Sequence, residues 1–103
     1  MNQLRFTPWA RQQLQEIAKF IAVQEQDLDT ALNLIEKVEA TCKRFAQFPE
    51  MGVARPNLRD GVRCFFVYSY VVVYLIEHEG IVIIDIFHSS QDLPEEYRHF
   101  FHP

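Results

Sequence analysis

Groups able to handle protons and phosphates are spread through the second half of the chain: Glu50, Arg63, His88, Tyr97 and His99. Cleavage of RNA by its own 2′-hydroxyl needs a base for that proton, cationic groups for the phosphorane charge and an acid for the leaving oxygen. Glu50 or His88 could be the base, Arg63 could clamp the phosphate, and Tyr97 or His99 could be the acid. No lysine reinforces the set, because the last one in the chain is Lys43. The competing reading of the same residues is structural. A histidine at a strand end satisfies backbone groups, and Ser90 and Asp92 cap the turn that follows. With no nucleophile elbow and no evident oxyanion hole, His88, Ser90 and Asp92 do not form a hydrolase triad.

Arg55, Arg59 and Arg63 recur every fourth residue in ARPNLRDGVR, an island of positive charge in a chain whose formal net charge is −4. That balance argues against a protein whose main task is gripping nucleic acid, since phosphate neutralisation supplies most non-specific affinity. The island is either a solvated loop or a docking point for an acidic group. His78, His88, His99 and His102 are scattered and none pairs at ligand spacing with a cysteine, so neither a metal nor a cofactor is expected. Cys42 and Cys64 read as small core residues in a reducing compartment. Phe65, Phe66, Tyr68, Tyr70 and Tyr74 could stack on bases, but core filling suits those that point inward.

The elements that must position these groups follow from periodicity. One domain over residues 1–103 is expected, with 49% hydrophobic and 14% aromatic residues, the composition of a folded globule. Leu4 and Phe6 alternate as in a short strand. Thr7-Pro8 has a capping hydroxyl followed by a proline at the first helical position. Leu14, Ile17, Ala18 and Ile21 then keep helical spacing, with Gln12, Gln13, Gln15, Glu16 and Lys19 on the other face. Asp27 or Asp29 caps a second helix, whose stripe is Leu28, Ala31, Leu32, Ile35, Val38, Cys42 and Phe45. Trp9 is expected to pin this hairpin to the sheet.

Past FPEMG the segment to Gly61 reads as a loop. VRCFFV, VVVYLIE and IVIIDIF then read as three strands joined by links too short for anything but antiparallel hairpins. The expected fold is α+β, in the order β-α-α-β-β-β, with a helical hairpin packed on an antiparallel sheet. Strand parity puts Ile84, Ile86 and His88 on one face and Ile83, Asp85 and Phe87 on the other, with His88 near the loop that carries Arg55 and Arg59. The tail 94–103 is expected to be a short helical turn or mobile. MNQLRFTPWARQQ has no signal-peptide core and no stretch is apolar enough to span a bilayer, so a cytoplasmic protein without a membrane partner is expected.

The order of these elements, with FPEMG, NLRDGVRCF, SYVVVY and IIDIFHSSQDL, resembles the ParE/RelE superfamily of toxins from bacterial type II toxin–antitoxin systems. Leu58, Arg59, Gly61 and Arg63 are similar to a leucine-arginine-x-glycine-x-arginine element typical of ParE. Ser69, Val71 and Tyr74 fit its serine-x-valine-x-x-tyrosine, and His88, Ser90 and Asp92 its closing histidine-x-serine-x-aspartate. The resemblance runs from Leu4 to Leu93 and implies a RelE/ParE-like fold, a cognate antitoxin and inhibition of DNA gyrase. Relatives of the RelE kind instead cut messenger RNA on the ribosome, and there Glu50, Arg63 and His88 resemble the catalytic positions of some members. Asp85 departs from the basic or neutral residue relatives often carry on that strand.

Three functions therefore compete: a gyrase-poisoning binder, a ribosome-dependent endoribonuclease, and a degenerate toxin that acts only in complex formation and operon autoregulation. The expected target-binding residues are Arg55, Arg59, Arg63, His88 and Ser90, with the arginine island also expected to meet an acidic residue of the antitoxin. Homodimer and toxin–antitoxin hetero-oligomer both stay open.

Overall fold

A strand at the N-terminus, β1 (Gln3–Phe6), leads straight into helix α1 (Pro8–Val23). The computed structural model describes residues 2–56 and 59–89. Thr7 starts α1 as expected: its Oγ1 accepts the Ala10 amide at 3.1 Å, a cap that stabilises a helix by about 1 kcal/mol. Asp27 caps α2 (Leu28–Gln47), accepting the Thr30 amide at 3.0 Å and the Thr30 hydroxyl at 2.7 Å. A 3₁₀ turn (Pro49–Met51) follows, then β2 (Val53–Ala54), β3 (Val62–Val67), β4 (Tyr70–Glu77) and β5 (Gly80–His88).

The sheet order is β1-β5-β4-β3-β2. The last three strands form the antiparallel hairpins that their short links require. The sheet is mixed rather than purely antiparallel, because β1 joins β5 in parallel. No tight turn links those two strands, so hairpin geometry does not set their direction. Gly80 permits the approach: a Cβ there would run into the backbone of Gln3. A bidentate contact of Arg5 with Glu77 closes the same edge on the solvent side. β2 is an addition to the expected order, a two-residue strand inside what reads as a loop, paired with Arg63 and Cys64.

The helices cover one face of the sheet. Leu14, Ala18 and Ile21 of α1 and Leu34, Val38, Cys42 and Phe45 of α2 pack against Phe65, Val67, Val72, Tyr74, Ile81, Ile83 and Ile86. Phe45 and Phe65 stack with centroids 4.1 Å apart, and Tyr74 tilts against both. On the opposite face Val62, Cys64, Val71, Val73 and Phe87 form a second cluster.

Several expectations shift. The α2 stripe anchored by Val38 and Cys42 runs back through Leu34 and Ala31, so Leu28 and Leu32 turn outward, Leu28 being 60% exposed. Trp9 is also outside, at 57% exposure, because Ala10 takes the inward position. Gln13, read as a solvent residue, reaches the sheet: its Oε1 accepts the Ile86 amide at 2.9 Å. β1 ends at the Phe6–Ile83 pair, and Gln13 serves the β5 amide beyond it. Simple parity fails on β5, because a bulge pairs Val73 with Asp85 and Tyr74 with Ile83, skipping Ile84. One extra residue flips the pleat. Ile83 and Ile86 thus share the helix face, and Ile84 packs with Phe87 on the other.

Candidate functional site

Arg63 and Tyr74 are cross-strand partners on β3 and β4, and both reach the turn that follows α2. The Tyr74 hydroxyl donates to the Pro49 carbonyl at 2.6 Å and accepts the Gly52 amide at 3.1 Å. Arg63 Nη1 donates to the carbonyls of Glu50 at 3.0 Å and Gly52 at 2.8 Å. Four backbone contacts from two strand residues therefore hold one short turn. Gly52 must be glycine, since a Cβ would overlap the Tyr74 ring and hydroxyl. Burial pushes the Tyr74 hydroxyl up, opposed by the Gly52 amide and the Arg63 charge.

The arginine island does not stay together. Arg63 lies on the helix face, whereas Arg55 follows the β2 residues paired with β3 and donates its amide to the Val62 carbonyl at 2.8 Å. Its guanidinium lies against the Cys64 thiol on the opposite face; burial pushes that thiol up and Arg55 opposes the shift. Arg59 is exposed in the turn before β3, its carbonyl accepting the Val62 amide at 3.2 Å. Glu50 is exposed, and it is its carbonyl, not its carboxylate, that Arg63 engages.

His88 stands elsewhere. It pairs with Tyr70, whereas Arg63 pairs with Tyr74, so the two lie four residues apart along β4 and two strands apart across it. At about 3.4 Å per residue and about 4.8 Å per strand, the separation is on the order of 16 Å. The expected placing of His88 beside the loop of Arg55 and Arg59 is therefore corrected: β5 runs away from that loop, and His88 ends at the far end of the sheet. Its ring meets Tyr70 edge-on, with centroids 5.1 Å apart. Both line a cleft of about 380 Å³ with Ile21, Thr30, Asn33, Leu34, Tyr68 and Ser69.

The arrangement brings Arg63, Tyr74, Gly52 and the Glu50 backbone together, and separately His88 with Tyr70. It does not bring Glu50, Arg63 and His88 to one phosphate. Leu58, Ser90, Asp92, Tyr97, His99, His102 and the tail 94–103 lie outside the described residues. Among the described residues no group of three His, Cys, Asp or Glu is placed to hold a metal ion, and no helix is long and apolar enough to cross a membrane. Sequence reasoning read Gly52 only as loop punctuation and passed over Asn33 and the polar end of Gln13. Only the glycine carried a signal, as one of three in the chain.

Residues 4–93 match the family model described as ParE toxin of type II toxin–antitoxin system, parDE. Toxin ParE3 of Caulobacter vibrioides is 32% identical over 59 residues, a stretch covering 57% of this chain and 59% of that relative. The chain thus matches little more than half the length of this curated relative. A solved structure described as the chromosomal ParDE TA system from P. aeruginosa superposes with a TM-score of 0.69 at 22% identity, covering 82% of this chain and 92% of the other. That likeness shows the fold.

Proposed function

The chain belongs to the ParE toxin family of type II toxin–antitoxin systems, and from that premise we propose that it inhibits DNA gyrase and is neutralised by a cognate antitoxin. The observation that carries the choice of a binder over a ribonuclease is the separation of Arg63 from His88. Attack of a 2′-hydroxyl on the adjacent phosphorus, with departure of the 5′-oxygen, needs base, cation and acid around that one atom. Here the guanidinium is committed to the Glu50 and Gly52 carbonyls while the imidazole stands at the other end of the sheet.

A binder needs exposed, well-anchored side chains instead. Arg59 projects from the turn before β3, where the Arg55 amide pairs with the Val62 carbonyl, and Arg63 fixes the 50–52 turn that leads into β2. We assign Arg59 the direct contact with the target and the other two the role of positioning that loop. His88 belongs to a second contact region at the far end of the sheet, and Ser90 is kept as a target-binding residue from its place in the motif. The compartment this reading requires is the cytoplasm.

The antitoxin has an obvious place to add a strand. β2 pairs only with Arg63 and Cys64, so Phe65–Val67 have no strand on that side among the described residues. Phe66, 54% exposed, lies on this open stretch. A partner segment that pairs there gains backbone hydrogen bonds and apolar cover together.

A supercoiling assay with purified gyrase tests the proposal. Relaxed or linearised DNA in the presence of the toxin is the expected outcome, reversed by the antitoxin. Intact supercoiling at high toxin excess would overturn it. Messenger RNA cleavage in a translating extract would move the assignment to the RelE-like ribonuclease, and no effect in either assay would leave a degenerate toxin.

A further inference from the structure

The cleft between the start of α2 and the β3–β4 turn has a composition of its own. Its apolar walls are Ile21 and Leu34, Tyr68 and Tyr70 supply two aromatic rings, the His88 imidazole stands edge-on to Tyr70, and Asn33, Ser69 and Thr30 bring polar groups. The rim is acidic. Asp27 holds the Thr30 hydroxyl at 2.7 Å, and Glu25 lies close enough that its charge adds to burial in pushing the Tyr70 hydroxyl up.

The backbone around the cleft is unusual as well. Among the described residues the only non-glycine positions with positive φ are Gln26 and Tyr68, both at 52°. One lies in the link between Glu25 and Asp27, the other in the turn that forms the opposite wall. A left-handed conformation at such residues costs about 1 kcal/mol or more and persists where the surroundings require it. Its effect at Tyr68 is to hold a ring 68% exposed beside the cleft.

We propose that this cleft receives a cationic side chain, arginine or lysine, carried by an extended segment of the antitoxin. The inference rests on the antitoxin partnership proposed above and adds the chemistry of one contact. The methylene stem of the incoming residue lies along Ile21 and Leu34, as long cationic side chains do on apolar surface. Its charged head meets the tyrosine rings and the Glu25 and Asp27 carboxylates. A carboxylate in the same place would face two like charges. The contact selects a basic residue in a partner that the arginine loop, at the other end of the sheet, would engage through an acidic one.

The test uses the full chain, isotope-labelled, titrated with the capped tripeptide Ile-Arg-Leu and with its citrulline and glutamate counterparts. Saturable shifts at the Asn33 side-chain amide and the Ser69 and Tyr70 backbone amides are expected with the arginine peptide. Citrulline keeps the shape and removes the charge, so affinity should fall about threefold, the size of one partly exposed charge pair. Glu25→Gln, at an exposed position, should produce a similar loss for the arginine peptide and none for citrulline. Equal binding of all three peptides, shifts located elsewhere, or no shifts would overturn the inference. Failure in the gyrase assay alone would leave these shifts in place, so the two readings fail separately.

Discussion

Tyr74, at the centre of the helix-covered face, spends its one hydroxyl on the amide of Gly52 and the carbonyl of Pro49. The turn after α2 is therefore built into the core. Tyr74→Phe leaves the Gly52 amide and the Pro49 carbonyl without that partner, at a cost of about 1–3 kcal/mol. Denaturant melts should show the loss, and hydrogen exchange should show Gly52 losing protection while the β4–β5 pairs keep theirs.

Gly80→Ala should release β1. A Cβ at that position meets the backbone of Gln3, which cannot rotate aside as a side chain can. Overpacking of this kind costs about 1–3 kcal/mol. Amide exchange at Gln3 and Arg5 should rise well before exchange at Val72, whose strand has partners on both sides.

Arg63→Ala and His88→Ala should be additive. Sites separated by this much couple by less than about 0.5 kcal/mol. A double-mutant cycle on stability measures it; a coupling well above that value would mean the two residues meet in solution. Arg63→Ala alone should destabilise the fold by about 1–3 kcal/mol, because charged hydrogen bonds to two carbonyls disappear. Arg59→Ala should leave stability within about 0.5 kcal/mol of the parent and, under the proposed gyrase-binding role, still weaken inhibition in the supercoiling assay.

Stability should decline in alkali. Burial pushes the Cys42 thiol from its ordinary 9.0 up to about 12, with Glu39 adding to the shift, and Cys64, Tyr70 and Tyr74 move the same way. Between those values the unfolded chain has released a proton from Cys42 that the folded chain still holds. The slope of unfolding free energy against pH is then negative, so the contribution is intact below pH 9.0 and is lost as pH rises toward about 12. Urea midpoints over a series from about pH 8 to about pH 11 should fall steadily, and less steeply in Cys42→Ala compared with its own value at the lower end. At neutral pH both thiols should resist alkylating reagents until the chain unfolds.

The motif that carried the family resemblance has acquired a structural meaning. Arg63 closes the leucine-arginine-x-glycine-x-arginine element and Tyr74 the serine-x-valine-x-x-tyrosine element, and the two side chains hold one turn. Their spacing in sequence records strand pairing across a hairpin. The resemblance therefore reports the fold with high fidelity, while it says less about which side chain touches the target.

By itself the sequence determined the local elements: Thr7 at the first cap and Asp27 or Asp29 at the second, the strand periodicity, and the hairpins imposed by short links. These depend on interactions within a turn or two, so short-range pattern suffices. Leu34 over Leu32, the outward Trp9, and the bulge that turns His88 onto the helix face were decided by packing between distant segments. The site was decided there too. Arg55, Arg59 and Arg63 are neighbours along the chain, yet β2 pairing places two of them on opposite faces. His88 is separated from all three because β5 runs away from their loop, and strand direction is a property of the whole sheet.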